Sequence, residues 1–395
     1  MNRFKALVGL ALILITSAAF AQNYDEKLVT KYTLPDMLTT LNGKKVKRKD
    51  VWEHTRRLEL LKLFEDNVYG QMPQDFDSIK YQITHLDNSA MGGKAVLKEI
   101  DIKVFRQQQS VGIHLVMFTP LHARQASPLF LLINNRGKNN MDPSRISKTE
   151  FWPAEQVIDS GYATAVFHVS DLAPDRKESY ANGVLRLYPE QLKAPNGMKA
   201  IGAWAWGASR VMDYLQTDKS VDAKKVAIVG HSRGGKAALW LMAQDRRFAM
   251  CFASCSGNTG AALTRRRFGE TIEKINTTFP YWFCDNYKKY NNNEDDLPVD
   301  QHMLIALSAP RPVYTTNATK DKWADPSGSY MAIKAAEPVY ELYGIKSALD
   351  ASLPPANKPA LQPPLGYHLR EGIHDLTAYD WDKFIRFAHN YYQKQ

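Results

Sequence analysis

Ser232 stands in the middle of Gly230-His231-Ser232-Arg233-Gly234, with a glycine two residues away on each side. A serine hydroxyl is a weak nucleophile until a base takes its proton, and the base needs a carboxylate to hold its tautomer. The chain has candidates for both roles. His374 lies in Arg370-Glu371-Gly372-Ile373-His374-Asp375, with His368 as the alternative base, and Asp321 precedes Trp323 and Asp325 just after an apolar run. Asp325 stands directly before Pro326, a position suited to capping a helix. The backbone N–H of Arg233 is a donor for a developing oxyanion, and its permanently charged guanidinium is a second. Together these residue types can carry acyl transfer through a covalent serine intermediate.

Each of these residues needs an element to position it. Val226-Ala227-Ile228-Val229 reads as a buried strand, and the run from Gly234 to Trp240 reads as a helix. Ser232 therefore falls at a strand-to-helix elbow, the order found in α/β-hydrolases. Gly230 and Gly234 let that strand and helix approach closely. In such a fold the base comes last, between the final strand and the closing helix, which suits His374 ahead of a helix over 380–392. The acid follows an earlier strand, here 312–318, and Asp321 comes just past its end.

Upstream, 129–134 and 163–168 read as buried parallel strands, and 79–84 and 111–118 as antiparallel strands beginning a mixed sheet. Helices are expected over 51–69 and 198–215; Trp204 and Trp206 in the latter read as core. The loop 134–137 lies where a strand end offers backbone donors to the site, and the proline-rich 353–365 reads as a surface loop. The fold class is α/β, an α/β-hydrolase fold with a mostly parallel central sheet and helices on both faces. The expected organisation is a leader over 1–21 followed by one domain over 22–395 with an N-terminal helical extension.

The leader reading rests on Arg3 and Lys5, an apolar run to Phe20 and small residues at 19 and 21. It implies a periplasmic or secreted protein, with no stable membrane insertion. Losing Arg3 and Lys5 lowers the net charge from +10 to +8. With export, that charge favours an acidic polysaccharide over nucleic acid as partner. A hydrophobic content of 44% and a charged content of 23% across 395 residues are those of a globular chain. Cys251, Cys255 and Cys284 allow at most one disulfide. No His-Glu-x-x-His or paired Cys-x-x-Cys set is present, so neither metal nor organic cofactor is expected.

Four ordered motifs carry a resemblance to a known family. They are Gly-His-Ser-Arg-Gly-Gly-Lys at 230–236, the run from Ser256 through Thr264-Arg265-Arg266-Arg267 to Glu270, Asp321-Lys322-Trp323-Ala324-Asp325-Pro326, and Arg370-Glu371-Gly372-Ile373-His374 followed by Asp380-Trp381. From about residue 100 onward the chain resembles the glucuronoyl esterases, carbohydrate esterase family 15. The resemblance implies cleavage of the ester between 4-O-methyl-glucuronic acid on glucuronoxylan and an alcohol of lignin. It also implies Ser232 as nucleophile, His374 as base and Arg233 as oxyanion stabiliser. Lys236, Glu270 and Trp323 match positions that hold the uronate; the bland alternative for Glu270 is an ion pair with Arg265 or Arg266. One departure is Cys255, where many members carry the catalytic glutamate, so the triad must draw on Asp321. A monomer is expected. Two competing readings are a general or acetyl-xylan carboxylesterase and a non-catalytic polysaccharide-binding relative.

Overall fold

The computed structural model describes residues 22–393, so the predicted leader lies outside the described residues. Nine strands form one sheet in the order β1-β2-β3-β5-β4-β6-β7-β8-β9. β1 (Ser78–Ser89), β2 (Ala95–Arg106) and β3 (Gln109–Pro120) form an antiparallel meander, and β3 pairs antiparallel with β5 (Ala163–His168). From β5 onward the pairing is parallel through β4 (Ser127–Asn134), β6 (Val221–His231), β7 (Met250–Ser254), β8 (Val313–Ala318) and β9 (Leu365–Arg370). The sequence reading shortened β1 and β3 and passed over β2. In β2 the alternation of Ile100, Ile102 and Val104, all fully buried, is interleaved with the charged Asp101 and Lys103.

The period of two along the central strands sends alternate side chains to opposite layers. Leu129, Leu131 and Ile133 of β4 and Val226 and Ile228 of β6 enter one core with Trp204 of α1 (Ala200–Leu215) and Trp240 of α2 (Arg233–Gln244). Phe130, Leu132, Ala227, Val229 and Phe252 enter the other, against Trp381, Phe384 and Phe387 of the closing helix. Helices thus cover both faces, as central strands that are apolar on both sides require. Truncating one such fully buried phenylalanine to alanine would cost about 3–5 kcal/mol.

Two further helices matter for the site. α3 (Pro326–Ala335) follows β8, and α4 (Ala378–Tyr392) closes the chain with Thr377 and Asp380 capping its start reciprocally. The stretch 49–69 is helical throughout, with two wide five-residue turns at Trp52–Arg56 and Glu65–Tyr69, and packs Trp52, Leu60 and Phe64 into the main core. The three cysteines are all buried free thiols, so the single disulfide allowed by the count is not formed. Among the described residues no helix is long and apolar enough to cross a membrane.

Candidate active site

Ser232 occupies the turn between β6 and α2 with φ 55° and ψ −126°, a conformation non-glycine residues rarely adopt. The turn is held because the Ser232 N–H donates to the Ser254 carbonyl at 2.8 Å. Crowding explains its glycines. A Cβ on Gly230 would sit 2.1 Å from the Gly234 carbonyl oxygen, and one on Gly234 would meet Asn135 Oδ1 at 3.1 Å. Arg233 opens α2, so its N–H has no carbonyl one turn back within the helix and is free to face an oxyanion.

His374 lies on the loop between β9 and α4, held by Arg370, whose NH2 group donates to the carbonyls of Ile373 and Asp375 at 2.8 and 2.7 Å. Its Nδ1 is 2.6 Å from Asp321 Oδ2, and its ring lies 4.6 Å, centroid to centroid, from that of His231, the residue before Ser232. With Nδ1–H donated to the carboxylate, Nε2 carries the lone pair a base needs. Asp321 begins the turn after β8 and is buried, while the imidazole is partly open to solvent. Its other oxygen accepts the Ala324 N–H at 3.3 Å, which orients the carboxylate.

The other candidate pairings separate cleanly. His368 is fully buried inside β9, between Tyr314 OH at 3.0 Å and Asp380 Oδ1 at 2.8 Å, so it has no approach to Ser232. Asp325 caps α3 through the Gly328 N–H at 2.9 Å and pairs with Arg266 Nε at 2.8 Å. Cys255 follows β7 with φ 46°, and its thiol, Asp321 and His374 present side-chain donors all within 4.8 Å of one another. Burial and then the Asp321 charge push the Cys255 thiol well above its usual value, so it stays protonated. These three are the residues that could converge on a metal among those described, but the Asp321–His374 hydrogen bond already engages two of the donors.

Arg233 is half-buried, its Nε against Asp175 and one NH2 donating to the Asn135 carbonyl at 2.9 Å. Asp175 was not legible in the sequence, since nothing in Asp171-Leu172-Ala173-Pro174-Asp175 marks it as an arginine partner. The same holds for Arg136, which bonds Asp375 Oδ1 at 2.6 Å and so ties the loop after β4 to the loop carrying His374.

Lys236, on α2 one turn past Ser232, places Nζ 2.6 Å from Glu270 Oε2 and also donates to the Asn258 carbonyl. The pairing expected for Glu270 as a bland alternative does not form: Arg265 binds Asp300 and Arg266 binds Asp325 and Glu26. Lys236 and Glu270 are both buried. Burial raises the Glu270 pKa and lowers that of Lys236, each opposed by the partner's charge. The nearby Trp323 side chain adds a smaller effect that favours the Glu270 carboxylate. An ammonium has three N–H donors, and two of those of Lys236 are directed at Glu270 and Asn258. The strained Ser232 turn, the His374–Asp321 pair and, one helical turn on, the buried Lys236–Glu270 ion pair thus stand together.

Comparisons with known proteins identify the family. The family model described as glucuronyl esterase, fungi, matches residues 133–344, more than half of the chain. A carbohydrate esterase from an unknown prokaryotic organism is 40% identical over 396 residues, covering 93% of this chain and 91% of that protein. The solved structure of a promiscuous esterase of carbohydrate esterase family 15 from a marine bacterial metagenome is 39% identical, covers 94% of this chain and 100% of its own, and superposes with a TM-score of 0.86. A glucuronoyl esterase from Solibacter usitatus is 35% identical, covers 92% of this chain and 99% of its own, and gives a TM-score of 0.86.

Proposed function

Because the chain belongs to the glucuronoyl esterases, carbohydrate esterase family 15, we propose that it is an exported serine esterase for esters of 4-O-methyl-glucuronic acid. As a carboxylic ester hydrolase it acts on the linkage between that acid on glucuronoxylan and an alcohol of lignin. The observation that carries the reading is the 2.6 Å bond from His374 to Asp321 beside the strained Ser232 turn. It supplies an acid despite the cysteine at position 255 and so counts against a merely binding role.

Ser232 gives its proton to His374 Nε2 as Oγ bonds to the ester carbonyl carbon, and the carbonyl π electrons move to oxygen. The Arg233 N–H and guanidinium stabilise that oxyanion, and Asp321 stays ionised to offset the imidazolium. The intermediate then expels the alcohol, which leaves with the proton from His374. Water attacks the glucuronoyl-serine by the same path, losing a proton to His374, and free uronic acid and Ser232 are restored. Lys236 and Glu270 hold the ring hydroxyls, and Trp323 packs on the sugar. No step calls on a metal or organic cofactor, and a monomer holds every residue named.

The test is hydrolysis of benzyl glucuronate beside an acetyl ester of similar leaving group, with Ser232→Ala as blank. A preference for the glucuronate that vanishes in the blank is the expected result. Preference for acetate would instead make the protein a general carboxylesterase. Turnover of neither by folded protein would overturn the catalytic reading.

A further inference from the structure

The segment 22–26 is remote in sequence from the site, yet it is bonded to both loops that carry the uronate-facing candidates. Gln22 Nε2 donates to the Gly269 carbonyl at 3.4 Å, and the Gly269 N–H donates to the Asn23 carbonyl at 2.8 Å. Lys322 Nζ donates to the Tyr24 carbonyl at 3.3 Å. The Tyr24 ring meets Phe268 edge-on, with centroids 6.3 Å apart. Arg266 closes the set, donating to both Glu26 oxygens at 2.8 and 2.7 Å while its Nε holds Asp325.

The loops themselves lie back to back. The Glu270 N–H donates to the Trp323 carbonyl at 3.0 Å. A Cβ on Gly269, whose φ is +63°, would stand 2.5 Å from the Trp323 carbonyl oxygen and 2.6 Å from that of Lys322. This seam carries Glu270 on one side and Trp323 and Asp321 on the other, and 22–26 is fastened across it. The Asp321 charge, after burial, raises the pKa of the Tyr24 hydroxyl, which puts Tyr24 within electrostatic reach of the acid. Both loops are largely buried but lie outside the sheet ladder, and segments without such pairing open locally at lower cost than core strands; a displacement of about 1 Å at a binding group is enough to change turnover or affinity strongly.

We propose that 22–26 is a positioning strap: it fixes Glu270 and Trp323 relative to one another and so sets affinity for the uronate ring, while taking no part in bond making. The inference rests on the glucuronate reading and adds to it a determinant outside the catalytic motifs. Three variants of the mature chain test it: deletion of 22–26, Glu26→Ala, and the conservative Glu26→Asp. Each is assayed on benzyl glucuronate and on p-nitrophenyl acetate, and amide hydrogen exchange is followed over 266–270 and 320–326.

Deletion is expected to raise KM for the glucuronate about five- to tenfold, with its kcat and the acetate kcat/KM kept within about twofold. Exchange should speed up at both loops. Glu26→Ala, which covers the case of a deletion that folds poorly, should move KM in the same direction by less, and Glu26→Asp should restore it. Equal losses on both esters would reduce the strap to general stability, and unchanged exchange or an unchanged glucuronate KM would overturn it. A wild-type protein that cleaves acetate but not glucuronate would overturn the substrate reading instead, and the exchange data would still report whether the strap orders the loops.

Discussion

The Asp321 carboxylate divides its oxygens between the His374 imidazole at 2.6 Å and the Ala324 N–H at 3.3 Å. Asparagine would keep the volume but remove the charge and allow the opposite tautomer at His374. Asp321→Asn should therefore lower kcat on any accepted ester by about 10³- to 10⁴-fold, with little change in the urea unfolding midpoint. The neighbouring Cys255 thiol, kept protonated by burial, donates to the Asp375 carbonyl at 3.9 Å. Cys255→Ala should leave kcat within about threefold and cost about 1–2 kcal/mol from the vacated volume. Were the cysteine variant as inactive as Asp321→Asn, the thiol would belong to the machinery. Ser232, His374 and Asp321 were legible because each sits at a strand end whose place in the chain order is set by the fold. Asp175, Arg136 and the Asn258 carbonyl were not, because each meets its partner only after distant strand ends are brought side by side.

At the scale of elements, four of the parallel strands, β4, β5, β6 and β8, were legible as short runs with little charge, whereas β7 (Met250–Ser254) and β9 (Leu365–Arg370) were not singled out. The outer meander was legible only in part, as shortened β1 and β3 without β2, because its strands pair along their full length from Ser78 opposite Phe105 to Arg106 opposite Gln109, well past their apolar cores. The turn after β8 was read in outline, and its two carboxylates separate by element: Asp321 faces the site, whereas Asp325 starts α3 from φ 46° and binds Arg266 behind it. Asparagine at 325 can still cap the helix but removes the charge opposite Arg266. Asp325→Asn should destabilise the protein by about 2 kcal/mol and change kcat less than about tenfold. Urea denaturation beside steady-state kinetics reads both numbers. A loss of turnover in Asp325→Asn that exceeded the loss in Asp321→Asn would transfer the acid role between them.

The molecule as a whole carries a set of histidines that folding keeps neutral. His168, His231, His302 and His368 all have pKa values lowered from 6.5, with burial the largest cause in each. For a base depressed on folding, the unfolded chain binds protons first. Its contribution to stability is full above about pH 6.5 and is lost as pH falls from there through the folded value. Glu65 and Glu270 work in the opposite sense: burial raises them above 4.5, so they favour the folded state as acid is added. The melting curve of the wild type alone therefore reports only a net slope, and a single substitution isolates one sign. His302 is buried with Nε2 3.1 Å from the Pro35 carbonyl, a bond a glutamine amide can replace. Between pH 7 and 5, the stability difference between wild type and His302→Gln should shift toward the variant, by about 1.4 kcal/mol for each unit of depression titrated. Urea titrations of both proteins at each pH measure that difference directly. A difference that stayed constant across the range would mean that His302 binds its proton equally in the folded and unfolded chains, and that burial at this position does not keep it neutral.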